Sequence, residues 1–228
     1  MEWSEEMKQT AMSKLKEYDI YFSADEVPPD IKFPEQWRNF GPARTGKSPV
    51  PAEWGNYRNC LPWVSWWVDS CVLGTVLAIS DRPYLMYVYS EDGKFYYYMG
   101  GEPLGAGDVR LDKYIGFPES LRRFYCELHN GFGFYIGCTM GPSQVEDFIP
   151  IKDLCDHEYP GLPDMMAVFS SGAGDYMALG EGDASGETFI WWHEEPDQPE
   201  RNLNLWEYMD CWMAIFLENS DVNDIVGE

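Results

Sequence analysis

The residues best equipped for chemistry are carboxylates: from Phe124 to the C-terminus stand 21 Asp and Glu against two bases, Lys152 and Arg201. Paired carboxylates do acid and base work in hydrolases, yet their abundance leaves no pair marked out by spacing. Three spacings match known chemistry more closely, and each lacks a part that the chemistry needs. Gly41-Pro42-Ala43-Arg44-Thr45-Gly46-Lys47-Ser48 fits the phosphate-loop pattern GxxxxGK[ST] letter for letter. Such a loop works because a buried strand precedes it and a helix follows, presenting amides to the phosphates. Here Gln36 to Phe40 is a poor buried strand, and Pro51 biases Val50 away from helical geometry, so an ordinary basic loop is expected. Glu181, Asp183 and Ser185 place oxygens at positions one, three and five of a calcium loop, with Gly186 at six. Trp192 stands at the twelfth position, where a bidentate Glu is required, so a hairpin turn is expected instead. After His193-Glu194-Glu195, Asp197 occupies the place of a zinc protease's second histidine. There is no CxxC pair, and His129, His157 and His193 are scattered, so no metal or cofactor site is predicted.

The charge as a whole says more. Sixteen Lys and Arg against 39 Asp and Glu leave −23, of which −5 falls in residues 1–110 and −18 in 111–228. A surface of that sign repels phosphates and is steered towards basic partners, so a basic protein is expected as partner and nucleic acid is not. Disorder is excluded by composition: 45% hydrophobic and 16% aromatic residues are enough for a core. Leu61 to Ile79 carries a single charge, Asp69, but Pro62, Ser65, Ser70, Gly74 and Thr75 dilute it, and Trp63, Trp66 and Trp67 cluster at one end. Core is therefore expected there rather than a membrane span. The start, Met1-Glu2-Trp3-Ser4-Glu5-Glu6, has no cationic and apolar signal pattern. A cytoplasmic chain with its six spaced cysteines as free buried thiols is the expectation.

Helices and strands legible in the sequence set where these groups fall. Residues 3–18 predict a helix with Met7, Ala11, Met12 and Leu15 as its apolar stripe. Six prolines between Val27 and Trp54 predict an irregular wrap. Strands are predicted at 72–79, 84–90 and 94–99, the last two joined by Glu91-Asp92-Gly93. A glycine-rich seam between Gly100 and Asp112 suggests two domains, 1–110 and 111–228. Beyond it Pro118 opens a helix with Leu121, Phe124, Tyr125 and Leu128 on one face, stopped by Asn130-Gly131. Strands follow at 132–136, 165–170, 176–179 and 188–192. A last helix begins near Asn204, with Leu205, Tyr208, Met209, Trp212, Ile215 and Phe216 on its sheet-facing side. The fold class predicted is α+β, a central, mainly antiparallel sheet flanked by helices, with an N-terminal helix, proline-rich loop and β-hairpin as extension.

The order of elements over residues 111–217 resembles the SUKH superfamily, bacterial immunity proteins related to fungal cell-wall assembly regulators. The likeness rests on Phe117-Pro118 with Leu121 and Phe124, on Asn130-Gly131, and on Asp147 to Leu154. It continues in Phe169 to Tyr176 with Gly174-Asp175, in Ile190 to Glu194, and in Asn204-Leu205-Trp206. The resemblance implies a protein that acts by binding a toxin in interbacterial competition, without a shared catalytic residue. The contact surface expected from charge and resemblance together is Asp175, Glu181, Asp183, Glu187, Glu194, Glu195, Asp197 and Glu200, with Trp191 or Trp192 as anchor. Two other classes stay open at this point: a hydrolase using paired carboxylates, and a regulatory scaffold with several partners.

Overall fold

A computed structural model of the chain describes residues 2–44, 46, 48–112, 114 and 116–223. Its α+β architecture divides into two compact units, Met1–Glu102 with Ala214–Glu228, and Pro103–Met213. Chain past Ala214 belongs with the first unit because specific bonds hold it there. The Trp67 indole donates to Ser220 Oγ at 2.9 Å and the Asn223 amide to the Ser70 carbonyl at 2.6 Å.

In the first unit, helix α1 (Glu5–Lys14) is capped by Ser4, whose Oγ accepts from the Met7 amide at 3.1 Å. Met7, Ala11 and Leu15 are buried at a spacing of four, whereas Met12, expected beside them, projects into solvent. Five strands pair antiparallel: β1 (Asp19–Tyr21) and β2 (Gly41–Pro42) both pair with β3 (Gly74–Ile79), then come β4 (Pro83–Glu91) and β5 (Lys94–Gly101). Asp92 and Gly93, at φ 50° and 70°, form the two-residue turn between Glu91 and Lys94, the geometry that matches strand twist. The stretch 61–79 breaks into helix α2 (Pro62–Ser70) and β3. Trp67 of α2 packs 5.2 Å from Tyr89 and 5.6 Å from Tyr98. Trp63 and Trp66, expected in the core, lie on the outer side of the helix. The proline-rich wrap inserts Trp37, Phe40 and Trp54 into the interior between short turns. Gly41 and Pro42 of the phosphate-loop pattern sit in an edge strand and Ser48 leads into the turn Ala52–Tyr57. Thr45 and Lys47 of that pattern lie outside the described residues.

In the second unit, helix α3 (Glu119–Arg123) continues as a wider turn, Phe124–Leu128, and buries Leu121, Phe124, Tyr125 and Leu128 as their spacing predicts. The Asn130-Gly131 stop divides its work between the two residues. Gly131 alone takes the left-handed backbone, at φ 81°. Asn130 is buried and works through its side chain, with Oδ1 accepting from the Val145 amide at 3.0 Å and Nδ2 donating to Glu146 Oε2 at 2.9 Å. Strand β6 (Phe132–Phe134) follows. The second sheet has the order β12 (Glu200–Arg201), β11 (Thr188–Trp191), β10 (Tyr176–Gly180), β9 (Met165–Ser170), with β7 (Gly141–Pro142) and β8 (Ile149–Pro150) both pairing with β9. Met177 pairs with Phe169 but Ala178 with Ala167, so Val168 is an extra residue in β9. That bulge turns Phe169 to the face carrying Met177 and Met166. There Trp212 of helix α4 (Leu205–Leu217) meets it with ring centres 5.7 Å apart. Leu205, Met209, Met213 and Leu217 are the buried line of α4, and Ile215, expected among them, is exposed. Among the described residues no helix is long and apolar enough to cross a membrane.

Candidate functional site

Strand register decides where the acids go. Tyr176 of β10 lies opposite Ser170 and Trp191, so the turn carrying Asp175 and the turn carrying His193 to Asp197 share one end of the second sheet. Gly180 lies opposite Met165, and Leu179 opposite Thr188, so Glu181, Asp183 and Glu187 hang from the other end. At about 3.3 Å per residue, the chain between Asp175 and Glu181 puts about 20 Å between the two groups.

At the first end, Asp175 Oδ1 accepts from the His193 amide at 3.2 Å and lies 2.8 Å from its ring Nδ1. Asp175 thereby fixes the turn after β11. Glu194, Glu195 and Asp197 project from that turn into solvent. The tandem tryptophans alternate as strand geometry requires. Trp191 is 3% exposed, packs with Ile151, Met165 and Ala178, and donates its indole N–H to the Pro196 carbonyl at 3.1 Å. It is core and offers no contact, which corrects its place in the expected surface. Trp192 faces the α4 side, half-buried, 6.0 Å from Trp212, and donates to Glu200 Oε1 at 3.0 Å.

At the other end, the segment resembling half a calcium loop is a compact turn. The Ala184 amide donates to the Glu181 carbonyl at 3.0 Å, and the Gly180 amide to the Glu187 carbonyl at 2.9 Å. Glu187 receives a two-pronged bond from Arg201 at 3.0 and 2.9 Å, and is thus committed within the fold. Asp183 is exposed and Glu181 half-buried at the sheet edge. Among the described residues, no group of three His, Cys, Asp or Glu side chains is placed to hold a metal ion.

Between the two ends runs a segment that carries no periodicity, Lys152 to Asp164. Ile151 plugs it into the core beside Ala184, Phe189 and Trp191, with Leu154, Cys155 and Leu162 packed around them, so it crosses the Trp191 face of the sheet. Its far end is tied to the β10–β11 turn, the Glu181 amide donating to the Asp164 carbonyl at 2.8 Å. A cavity of about 570 Å³ opens along it, lined by Lys152, His157, Glu158, Tyr159, Asp164 and Glu181. A second, of about 310 Å³, shares Asp164 and Glu181 and reaches Asp183, Glu187 and Arg201.

The electrostatics of this face are one-sided. From Val145 to Glu200 the chain has 14 acids and one base, Lys152. Lys152 Nζ stands 4.0 Å from Asp164, both side chains 70% exposed, a pair worth well under about 1 kcal/mol. Partial burial, then the Cys155 thiol and the Asp197 and Asp156 carboxylates, hold the Tyr159 hydroxyl above its ordinary value. Burial, then Asp156, pushes the Cys155 thiol up, which keeps it protonated and a poor nucleophile. Arrayed carboxylates around an open, solvated cleft suit guanidinium or ammonium groups of a partner. The sequence pattern missed Glu158, Asp164 and Tyr159. Their only signal was Pro160-Gly161-Leu162-Pro163, a rigid loop among acids. Compared with family models, curated proteins and solved structures, the chain has no significant match.

Proposed function

We propose that the chain is an immunity protein that binds a cognate bacterial toxin and neutralises it by covering a basic active-site cleft, that of a nuclease-like toxin above all. The observation that carries this reading is the acid-lined cleft between Lys152 and Asp164 and the β10–β11 turn, where Lys152 is the one lysine among the described lining residues. A cleft that binds phosphates presents Lys and Arg, and carboxylates set at the corresponding places stand in for those phosphates. Complementary charge also speeds the encounter, which matters for a protein that must reach a toxin before the toxin reaches its target. The resemblance of residues 111–217 to the SUKH superfamily supports the same reading. Within the expected surface, Glu181, Asp183, Glu194, Glu195 and Asp197 remain outward, and Trp192 keeps one accessible side. Glu158 and Asp164 join them, while Asp175, Glu187 and Glu200 serve internal bonds.

The test is binding of the toxin domain encoded beside this gene to two charge-reversed variants. One carries Asp164→Lys, Glu181→Lys and Asp183→Lys, the other Glu194→Lys, Glu195→Lys and Asp197→Lys. The first is expected to weaken binding at least about 100-fold at low salt, in line with close charge pairs at interfaces, and the second less. Unchanged affinity of the first variant at low and high salt removes the cleft as the contact surface.

A further inference from the structure

The first unit carries an apolar groove whose outer side chains stand exposed to solvent. Three-residue spacing on α2 sends Val64, Trp67 and Val68 inward, and puts Trp63 and Trp66 outside at 63% and 49% exposure. The two indoles meet edge to face, 6.4 Å apart at 77°. Across from them Ile215, at the end of α4, is 60% exposed. Together they frame a groove of about 370 Å³ with Val64, Ala214 and Leu217 in its floor, and among the described residues its one charged lining member is Glu218. Two adjacent tryptophans held in water forgo several kcal/mol of burial, and such patches mark binding sites on soluble proteins.

Charge and size narrow the occupant. A second copy would bring another −23 against the first, and three partly exposed side chains offer well short of the roughly 800 Å² per partner of a stable interface. An anionic lipid surface is repelled by the same charge. What fits is an apolar segment carrying positive charge. We propose that this groove docks an amphipathic helix of a partner protein, with apolar residues at i and i+3 or i+4 seated between Trp63, Trp66 and Ile215, and a Lys or Arg paired with Glu218. The site gives the first unit a binding role of its own, independent of the acidic cleft in the second.

The experiment selects displayed random peptides of about 16 residues, four to five helical turns, on the full chain. Selected peptides are then measured against Trp63→Ala/Trp66→Ala, Ile215→Glu and Glu218→Lys variants. Because these side chains are exposed, the variants are expected to keep the parent's thermal melting, and Ile215→Glu on a different helix provides a second reading should the tryptophan pair alter folding. Enriched sequences are expected to show the apolar spacing with Lys or Arg. The double tryptophan and Ile215 variants should lose at least about tenfold in affinity, as hot-spot residues do, and Glu218→Lys about threefold, as a rim charge does. Failure to enrich, peptides without a basic residue, or equal binding to the variants overturns the proposal. So does binding to phosphatidylcholine or phosphatidylglycerol vesicles without peptide binding, or a dimer in sedimentation that the tryptophan variant abolishes.

Discussion

Replacing Asn130 by alanine isolates one local device that holds the second unit together. The side chain is buried and makes two bonds: Oδ1 accepts from the Val145 amide at 3.0 Å, and Nδ2 donates to Glu146 Oε2 at 2.9 Å. Losing the first orphans a buried backbone N–H, at a cost of about 1–3 kcal/mol. Losing the second costs less, about 0.5–1 kcal/mol, because Glu146 is part-exposed and keeps Arg110 at 2.5 Å. Asn130→Ala should therefore lower unfolding free energy by about 2–4 kcal/mol. Asn130→Asp separates the two bonds: it keeps the acceptor for Val145 but sets a second carboxylate against Glu146. Its deficit should shrink as pH falls through the carboxylate range, since protonating either group restores a donor. Urea unfolding gives the free energies, and hydrogen exchange at the Val145 amide reads the local bond. A loss under about 0.5 kcal/mol, inside the ordinary range for surface changes, together with unchanged exchange at Val145 would show that the Asn130 side chain does not hold this turn.

Other expectations rest on single contacts. At Gly131 a Cβ would stand 2.7 Å from the Gln144 amide nitrogen at φ 81°, so Gly131→Ala should destabilise by more than about 2 kcal/mol in urea unfolding. Burial, then Asp221, pushes the Cys71 thiol up to about 11, so native alkylation near neutral pH should mark exposed Cys211 first and Cys71 only after denaturant. Burial raises the Tyr97 hydroxyl to about 12 and holds those of Tyr87, Tyr98 and Tyr125 well above the ordinary value. The unfolded chain ionises near 10. Their stabilisation is thus complete below about pH 10 and is lost as pH climbs through 10 to 12 and beyond. An ultraviolet titration should show these tyrosines ionising together with unfolding.

Periodicity and turn chemistry made much of the fold legible. Asp92-Gly93 declared its hairpin because both residues accept positive φ, and Leu121, Phe124, Tyr125 and Leu128 declared a buried face by their spacing. What periodicity does not carry is whether anything covers an apolar face. Met12, Ile215, Trp63 and Trp66 all sit at plausible core positions and all lie outside. A bulge is equally silent: nothing in Met165 to Ser170 announces that Val168 is the extra residue that swings Phe169 towards α4. For the site, nearness in sequence concealed distance in space. Asp175 and Glu181 are six residues apart and occupy opposite ends of a sheet, whereas Asp164 and Glu181 are 17 apart and share a backbone hydrogen bond. The segment from Lys152 to Asp164 is irregular, so its part in the cleft emerges only from Ile151 and Leu162 anchoring it over Trp191.

Whether the acidic cleft shields a toxin is decided by titrating the full chain into the activity assay of a nuclease-like toxin domain, if one is encoded beside the gene. Stoichiometric inhibition is expected, weakened by salt and lost with Asp164→Lys/Glu181→Lys/Asp183→Lys. Full toxin activity at saturating wild-type chain, or inhibition that the triple variant retains at every salt concentration, would contradict an acidic cleft acting as its shield.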